Sequence, residues 1–324
     1  MATKNKTVVV TGGCGYIGSH VARAFKQKGN RVYVIDRVQR DHALNGMDGY
    51  YIGDFASLDS LATIRELAPD IIVHCAGTSL VGPSMTDPAE YYNNNVVKTI
   101  TMLNSIKQLH KPPMVLFSSS ASVYGEPEHV PVVECHRLDP ISPYGNTKLA
   151  VERILNDYYT AYNLNSVCFR FFNAAGAEPH NFDLGQEPEA THIVARVLEA
   201  SINRRAFTIN GEDFATPDGT CVRDYIHVWD LAHAHLCAVD FVDQEPGAHI
   251  FNLGTNHGTS NRQILDYVKD TYGMSTVFFG EARPGDPATL VADATLANEV
   301  LGWVPEHSDI ETIIDTAYKW YTRK

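Results

Sequence analysis

Two side chains four positions apart, Tyr144 and Lys148 in Tyr144-Gly145-Asn146-Thr147-Lys148, have the types and spacing to turn a phenol into a base. At 3.6 residues per turn they share one face of a helix. Pro143, directly before them, suits a first helical turn, where its missing N–H is harmless. A free tyrosine has a pKa near ~10, and a lysine cation beside it favours the phenolate and lowers that value. Such a phenolate can take a hydroxyl proton while hydride leaves the same carbon. Chemistry of this kind wants a second donor on the substrate oxygen. The run Phe117-Ser118-Ser119-Ser120-Ala121-Ser122-Val123-Tyr124-Gly125 follows an apolar strand read at 114–117. Ligands of open parallel sheets bind outside that strand end. Alone, the serines would read as a turn; the downstream base motif gives them a functional reading.

Hydride needs an acceptor, and a second motif supplies a place for one. Residues 7–11 read TVVVT, a β-branched run suited to a buried parallel strand. Gly12-Gly13-Cys14-Gly15-Tyr16-Ile17-Gly18 follows at once. A helix read at 16–28 then carries Ile17, Val21, Ala24 and Phe25 on one face. Strand, glycine turn and helix are the context of a dinucleotide fingerprint. Gly12 permits the tight turn, Gly15 lets backbone approach a pyrophosphate, and Gly18 lets the helix pack closely on the strand. The helix N-terminus presents free N–H groups to the phosphates. A strand at 31–35 ends in Asp36, placed for the adenosine ribose. A carboxylate there repels a 2′-phosphate and points to NAD over NADP, with Arg37 weighing the other way.

The elements that must position these residues alternate. Strands read at 7–11, 31–35, 50–52, 71–75, 114–117 and 167–171, and helices at 16–28, 58–67, 88–108 and 143–162. That alternation argues an α/β chain with a Rossmann-type doubly wound parallel sheet. The expected division is an NAD-binding domain at 1–172 and a smaller C-terminal α/β lobe at 173–324, some of whose strands rejoin the first sheet. In the second part, 174–189 reads as a substrate loop and 210–220 as a loop over a nucleotide. Helices read at 192–203, 228–241, 260–272 and 310–321. The cleft between the lobes is where a ligand should lie.

With these pieces in order, the chain resembles the extended short-chain dehydrogenase/reductases and, within them, the UDP-glucose 4-epimerases. The matching segments span nearly the whole length. They are Gly12 to His20, Ala76-Gly77, Glu90-Tyr91-Tyr92-Asn93-Asn94-Asn95-Val96, Ser118 to Gly125, Ser142 to Lys148, Arg170-Phe171-Phe172-Asn173-Ala174-Ala175-Gly176-Ala177, Asn210 to Asp213 and Asp218 to Val228. The resemblance implies Tyr144 as base, Lys148 as its partner and ribose anchor, and Ser120 as donor to the sugar 4-hydroxyl. It places Gly12, Gly15, Tyr16, Ile17, Gly18, Asp36, Asp54, Phe55, Ala76, Asn94, Ser118 and Phe171 against NAD together with Tyr144 and Lys148. It places Ser120, Ser122, Tyr144, Asn173, His192, Arg223, Arg283, Asp286 and Leu290 against a UDP-sugar. Arg223 and Arg283 could grip a diphosphate bidentately, although outside this context each would read as a surface ion pair. The implied reaction takes hydride from carbon 4 to bound NAD, turns the 4-keto sugar over, and returns hydride from NADH to its other face.

Some positions depart from the family pattern. Ser79 stands where a lysine is usual near the cofactor, Phe171 where a tyrosine is usual, and the segment between Asp36 and Gly53 is short. Leu290 is intermediate in size where a bulky aromatic accompanies rejection of N-acetylated sugars. A dehydratase would want acids where Ala121 and Ser122 stand. A 4-epimerase of UDP-pentoses or of UDP-N-acetylhexosamines shares the same motifs. A non-catalytic NAD-sensing protein would be expected to lose the tyrosine or the lysine.

Composition sets the remaining bounds. The 324 residues are 44% hydrophobic, enough for a sizeable core. The net charge of −12 disfavours nucleic acid. No apolar run approaches the ~18 residues of a membrane span, and the polar first residues lack a signal-peptide core. The six cysteines show no C-x-x-C spacing and suggest reduced thiols in a cytoplasmic protein. The histidines lack a metal pattern, so no metal is expected; His227 reads as a residue of the pocket edge. The apolar helices at 92–108 and 144–162 resemble those that pair across a two-fold axis in relatives, which implies a homodimer.

Overall fold

The computed structural model describes residues 5–187, 191–274, 276–282 and 287–323. Six strands of the first half build its main sheet: β1 (Thr7–Thr11), β2 (Arg31–Asp36), β3 (Gly49–Ile52), β4 (Ile71–His74), β5 (Met114–Ser120) and β6 (Ser166–Phe171). A seventh strand, Ala248–Leu253, returns from the second half and pairs with β6. The order is β3-β2-β1-β4-β5-β6 and then Ala248–Leu253, every neighbouring pair parallel. This is a Rossmann-type doubly wound sheet, and the order reverses between β1 and β4, where such sheets open a crevice.

The strand sequences explain the layers. β1, β4 and β6 are buried along their whole length, so their apolar residues serve both faces. Val8 and Val10 meet Val21 and Phe25 of the Tyr16–Gln27 helix and Trp229 and Val239 of the Val228–Val242 helix. Val9, Ile35 and Ile72 meet Leu61 and Ile64 of Leu58–Leu67, Met102 and Ile106 of Lys98–Ile106, and Val151 and Leu155 of Pro143–Tyr162. A separate core, with Val197, Leu198, Ile209, Ile264, Val268 and Ile314, lies under the helices Ile193–Ile202, Asn261–Tyr272 and Ile310–Thr322.

Three differences from the sequence reading bear on the site. β5 runs on to Ser120, because Ser118, Ser119 and Ser120 pair in register with Phe169, Arg170 and Phe171. The helix expected at 88–108 is interrupted by a π-helical stretch, Tyr92–Val97, between Pro88–Tyr91 and Lys98–Ile106. There the Asn95 side chain is drawn into bonds with Thr78 and Thr147. Finally, the second half contains short strands that the sequence reading did not include, one of them at the start of the expected 174–189 loop. Asn173–Ala175 pairs with Tyr225–His227, and Val222–Arg223 pairs with both Thr259–Ser260 and Thr289–Leu290.

Candidate active site

A cavity of about 630 Å³ runs from the glycine turn after β1, past the end of β4, to the end of β5. The glycines shape its first part. Gly12 has φ +73°, and a Cβ on it would meet the Ala76 backbone nitrogen at 2.6 Å. Glycine thus serves both a left-handed turn and the close approach of the two strand ends. A Cβ on Gly18 would meet the Gly12 carbonyl oxygen at 2.2 Å. The helix packs this closely against the turn itself, whereas the sequence reading placed the contact on the strand. Gly15, Tyr16 and Ile17 complete this wall. Tyr16 is held by donation from its hydroxyl to the Gly176 carbonyl at 2.7 Å.

Carboxylates and cations mark the adenosine end. Asp36 accepts from the backbone N–H groups of Cys14 and Val38, which fixes both its oxygens. Asp54 accepts from Lys98 Nζ at 2.6 Å and from the Ala56 N–H. Burial pushes Asp54 upward, but Lys98, the Ala56 N–H and the Arg37 charge outweigh it and hold the carboxyl below its usual range. Asn94, one helical turn before Lys98, accepts from it at 2.8 Å and donates to Thr78. Phe55, Ala76 and Ser79 also line the cavity.

The other end holds the hydroxyl chemistry. Ser142 caps the Pro143–Tyr162 helix by accepting from the Gly145 N–H at 3.1 Å. Gly145 lets this helix start lie against the serine turn, since a Cβ there would meet the Ser122 carbonyl oxygen at 2.5 Å. Tyr144 and Lys148 therefore face the end of β5. Lys148 Nζ donates to the Ser118 carbonyl at 2.7 Å and lies 5.6 Å from the Tyr144 ring centre. Ser120 Oγ donates to Ser122 Oγ at 3.1 Å. Phe171, Asn173, His192 and Leu290 close the wall.

The electrostatics differ from the sequence expectation in one respect. Burial pushes Tyr144 up to about 12, against a lowering hydrogen bond with Ser120. Burial pulls Lys148 down to about 8, against the raising influence of Cys75, Glu152 and Cys168. The chain's own groups thus leave Tyr144 a neutral phenol, because desolvation outweighs the hydrogen bond with Ser120. A further positive charge in the cavity is needed to favour the phenolate.

Most residues singled out in the sequence come together on this one cavity, and some do not. Arg223 is not part of the wall; its Nη1 donates to the Val222 carbonyl, and its backbone pairs in register with Leu290. Arg283 and Asp286 lie outside the described residues. His227 is fully buried away from the cavity, against Gly176 and Thr316. Two cations were missed. Lys98 had a signal, its four-residue spacing from Asn94 on one helix face. Arg40 had none, for it reaches the Cys14 carbonyl from an irregular segment. Gln186 also lines the cavity from a stretch without periodicity. Among the described residues, no cluster of three or more His, Cys, Asp or Glu could hold a metal ion, and no helix is long and apolar enough to cross a membrane.

This arrangement can bind an extended, charged, two-part ligand and exchange a proton at its buried end. The glycine cradle, which side chains would fill, fits a dinucleotide. Residues 8–254 match the NAD dependent epimerase/dehydratase family. The chain is 39% identical over 322 residues to the UDP-glucose 4-epimerase of Halalkalibacterium halodurans, covering 97% of this chain and 95% of that one. It is similar to the crystal structure of UDP-glucose 4-epimerase from Brucella ovis in complex with NAD, with TM-score 0.91 and 39% identity over 97% of both chains. It is also similar to the Bifidobacterium longum enzyme in complex with NAD+ and UDP, with TM-score 0.90 and 33% identity over 98% of both chains.

Proposed function

The chain belongs to the NAD dependent epimerase/dehydratase family, and from that premise we propose that it is an isomerase, the NAD-dependent 4-epimerase of UDP-glucose and UDP-galactose. The observation that carries the reading is the meeting of Tyr144, Lys148 and the β5 serines with the glycine cradle on one cavity. NAD, when bound, would supply a hydride acceptor and donor and, in its oxidised form, a positive charge in the cavity that Tyr144 lines. Gly12, Gly15, Tyr16, Ile17 and Gly18 hold its diphosphate, Asp36 and Asp54 its adenosine, and Asn94, Ser118, Lys148 and Phe171 the rest.

Tyr144 takes the 4-hydroxyl proton in one half-reaction and returns it in the other. Ser120, turning its one hydroxyl proton away from Ser122 Oγ, donates to the same oxygen, and the Ser122 N–H steadies Ser120 by donating to its Oγ at 3.2 Å. Lys148 keeps its cation near the phenol and limits the cost of the phenolate. The sugar must present either face to one base, so it has to be tethered through its nucleotide. Asn173, His192 and Leu290 line the sugar pocket, and this reading assigns the tether of the nucleotide to Arg223, Arg283 and Asp286. In this reading residues 1–172 carry NAD, and 173–324 carry the UDP-sugar apart from the strand that returns to the sheet.

A homodimer and a cytoplasmic location belong to the same reading. The dimer is supported by the exposure of Tyr92, Val97 and Tyr162, at 43, 54 and 45%, on the two helical segments expected to pair. The location is supported by six cysteines that all remain unpaired. Light scattering giving the mass of a single chain would overturn the dimer. The decisive experiment for function is product formation from UDP-galactose by the purified protein without added NAD. UDP-glucose should appear. Product only on adding NAD would keep the chemistry and mean weak retention. No product in either condition would overturn the reading. The moderate size of Leu290 on the wall favours, as a second reading, N-acetylated UDP-sugars, tested with UDP-N-acetylgalactosamine in the same assay.

A further inference from the structure

Behind the Tyr144–Lys148 wall lies a buried ion pair that the reaction does not use directly. Glu152 and Arg170 are 3% and 1% exposed. Glu152 stands one helical turn beyond Lys148, and Arg170 immediately precedes Phe171 of the cavity wall. Arg170 Nε and Nη2 donate to the two carboxylate oxygens at 3.0 and 2.7 Å. The same carboxylate accepts from Ser119 Oγ at 2.5 Å. Arg170 Nη1 donates onward to Tyr124 Oη and to the Glu134 carbonyl.

Stability alone is a poor account of this pair. A buried ion pair is often no more stabilising than apolar residues of the same volume. Its contacts suggest another account. Ser119 sits between Ser118, whose carbonyl takes the Lys148 ammonium, and Ser120. One carboxylate thus ties the Tyr144–Lys148 helix, the β5 serines and β6 into a single unit. It also faces the charge of Lys148. The titratable groups about that ammonium are Tyr144 and Glu152 on its own helix, His74 and Cys75 at the end of β4, and Cys168 and Arg170 on β6. Burial raises both thiols and so keeps them uncharged. Among these groups the anion is Glu152.

We propose that Glu152, clamped by Arg170 and Ser119, is a positioning residue that keeps Lys148 an ammonium and fixes the β5 serines against the catalytic helix. The proposal rests on the epimerase reading for its kinetic consequence, though not for its electrostatic one.

The test uses the full-length protein and Glu152→Gln, which preserves shape and removes the anion. Carbon-13 NMR of ε-labelled lysine reads Lys148 directly, its signal assigned by loss in Lys148→Met. The variant should lose the Lys148 proton about one pH unit lower than the parent. The alkaline limb of kcat for UDP-galactose should move the same way, with KM unchanged. An unmoved lysine titration would overturn the proposal. If the parent turns over no UDP-sugar, the epimerase reading fails and the lysine titration still decides this inference. Should Glu152→Gln fail to fold, Ser119→Ala decides, since it leaves the ion pair intact. An unchanged unfolding midpoint with kcat down about threefold or more supports the clamp, and an unchanged kcat overturns it.

Discussion

The two ends of the cavity hold their charges differently. At the adenosine end, the side chains of Asp54 and Lys98 are 28 and 24% exposed, and their pair is open to solvent and salt. At the catalytic end, Arg170 and Glu152 are 1 and 2% exposed by the same measure, and Lys148 is buried beside them. Exposed pairs contribute about 0–1 kcal/mol and rearrange easily. Breaking a buried pair costs about 3–5 kcal/mol. The first end can adapt to a ligand. The second must be organised in advance, because its groups cannot move without exposing a charge or leaving one unpaired.

Substitutions test that contrast most strongly at the buried end. Tyr144→Phe removes one oxygen and should keep NAD and UDP affinity, measured by calorimetry, while kcat falls by ~10²–10⁴-fold. A loss below tenfold would mean that the base lies elsewhere. Lys148→Met should cost activity and remove a pH-dependent penalty from the fold. Burial lowers the folded-state pKa of Lys148 from 10.5 to about 8, so the unfolded chain binds the proton more tightly. Below pH 8 this penalty is present in full, and it fades as pH rises from about 8 to 10.5. The parent should therefore gain about 3 kcal/mol relative to the variant between pH 7 and pH 10.5. Denaturant unfolding across that range checks both sign and window.

At the cradle the effect is steric and smaller. Gly18→Ala places a methyl against the Gly12 carbonyl at 2.2 Å, and the turn must shift by about 1–3 kcal/mol of strain. NAD affinity should fall about tenfold with kcat at saturating NAD little changed. A loss confined to kcat would contradict a purely binding role for this turn.

What was legible in the sequence followed the range of the interactions. The glycine turn and the Tyr144–Lys148 pair each lie within one helical turn or one loop, so type and spacing already carry their geometry. β1 and the Pro143–Tyr162 helix show their bounds in the same local way, through a β-branched run and a proline after a capping serine. The Lys98–Asp54 and Arg170–Glu152 contacts join residues 44 and 18 apart, and neither has a local pattern. The burial that makes Tyr144 a weaker acid than expected is likewise a property of packing. The strands Val222–Arg223 and Thr289–Leu290 have two residues each, too short for any periodicity, and the chain enters them because Leu290 and Arg223 pair across the fold.

The smallest effect belongs to Lys98, and it is the sharpest probe of the contrast. Lys98→Ala frees one oxygen of Asp54 and deletes a cation from the cavity wall, 2.6 Å from the carboxylate it faced. Both partners keep access to water, so the site can repair itself by solvation. The loss of NAD affinity should be about two- to fivefold at low salt, and it should shrink as salt rises and screens the charge. Calorimetry at two ionic strengths separates the possibilities. A salt-insensitive loss of a hundredfold or more would mean that the adenosine end is as rigidly organised as the catalytic end. Ser79 makes this informative, since without a lysine at that position Lys98 is a cation within reach of Asn94 and Asp54 at once. If its removal matters only at low salt, this end holds NAD chiefly through the glycine turn and the carboxylates, which do not depend on a partner charge.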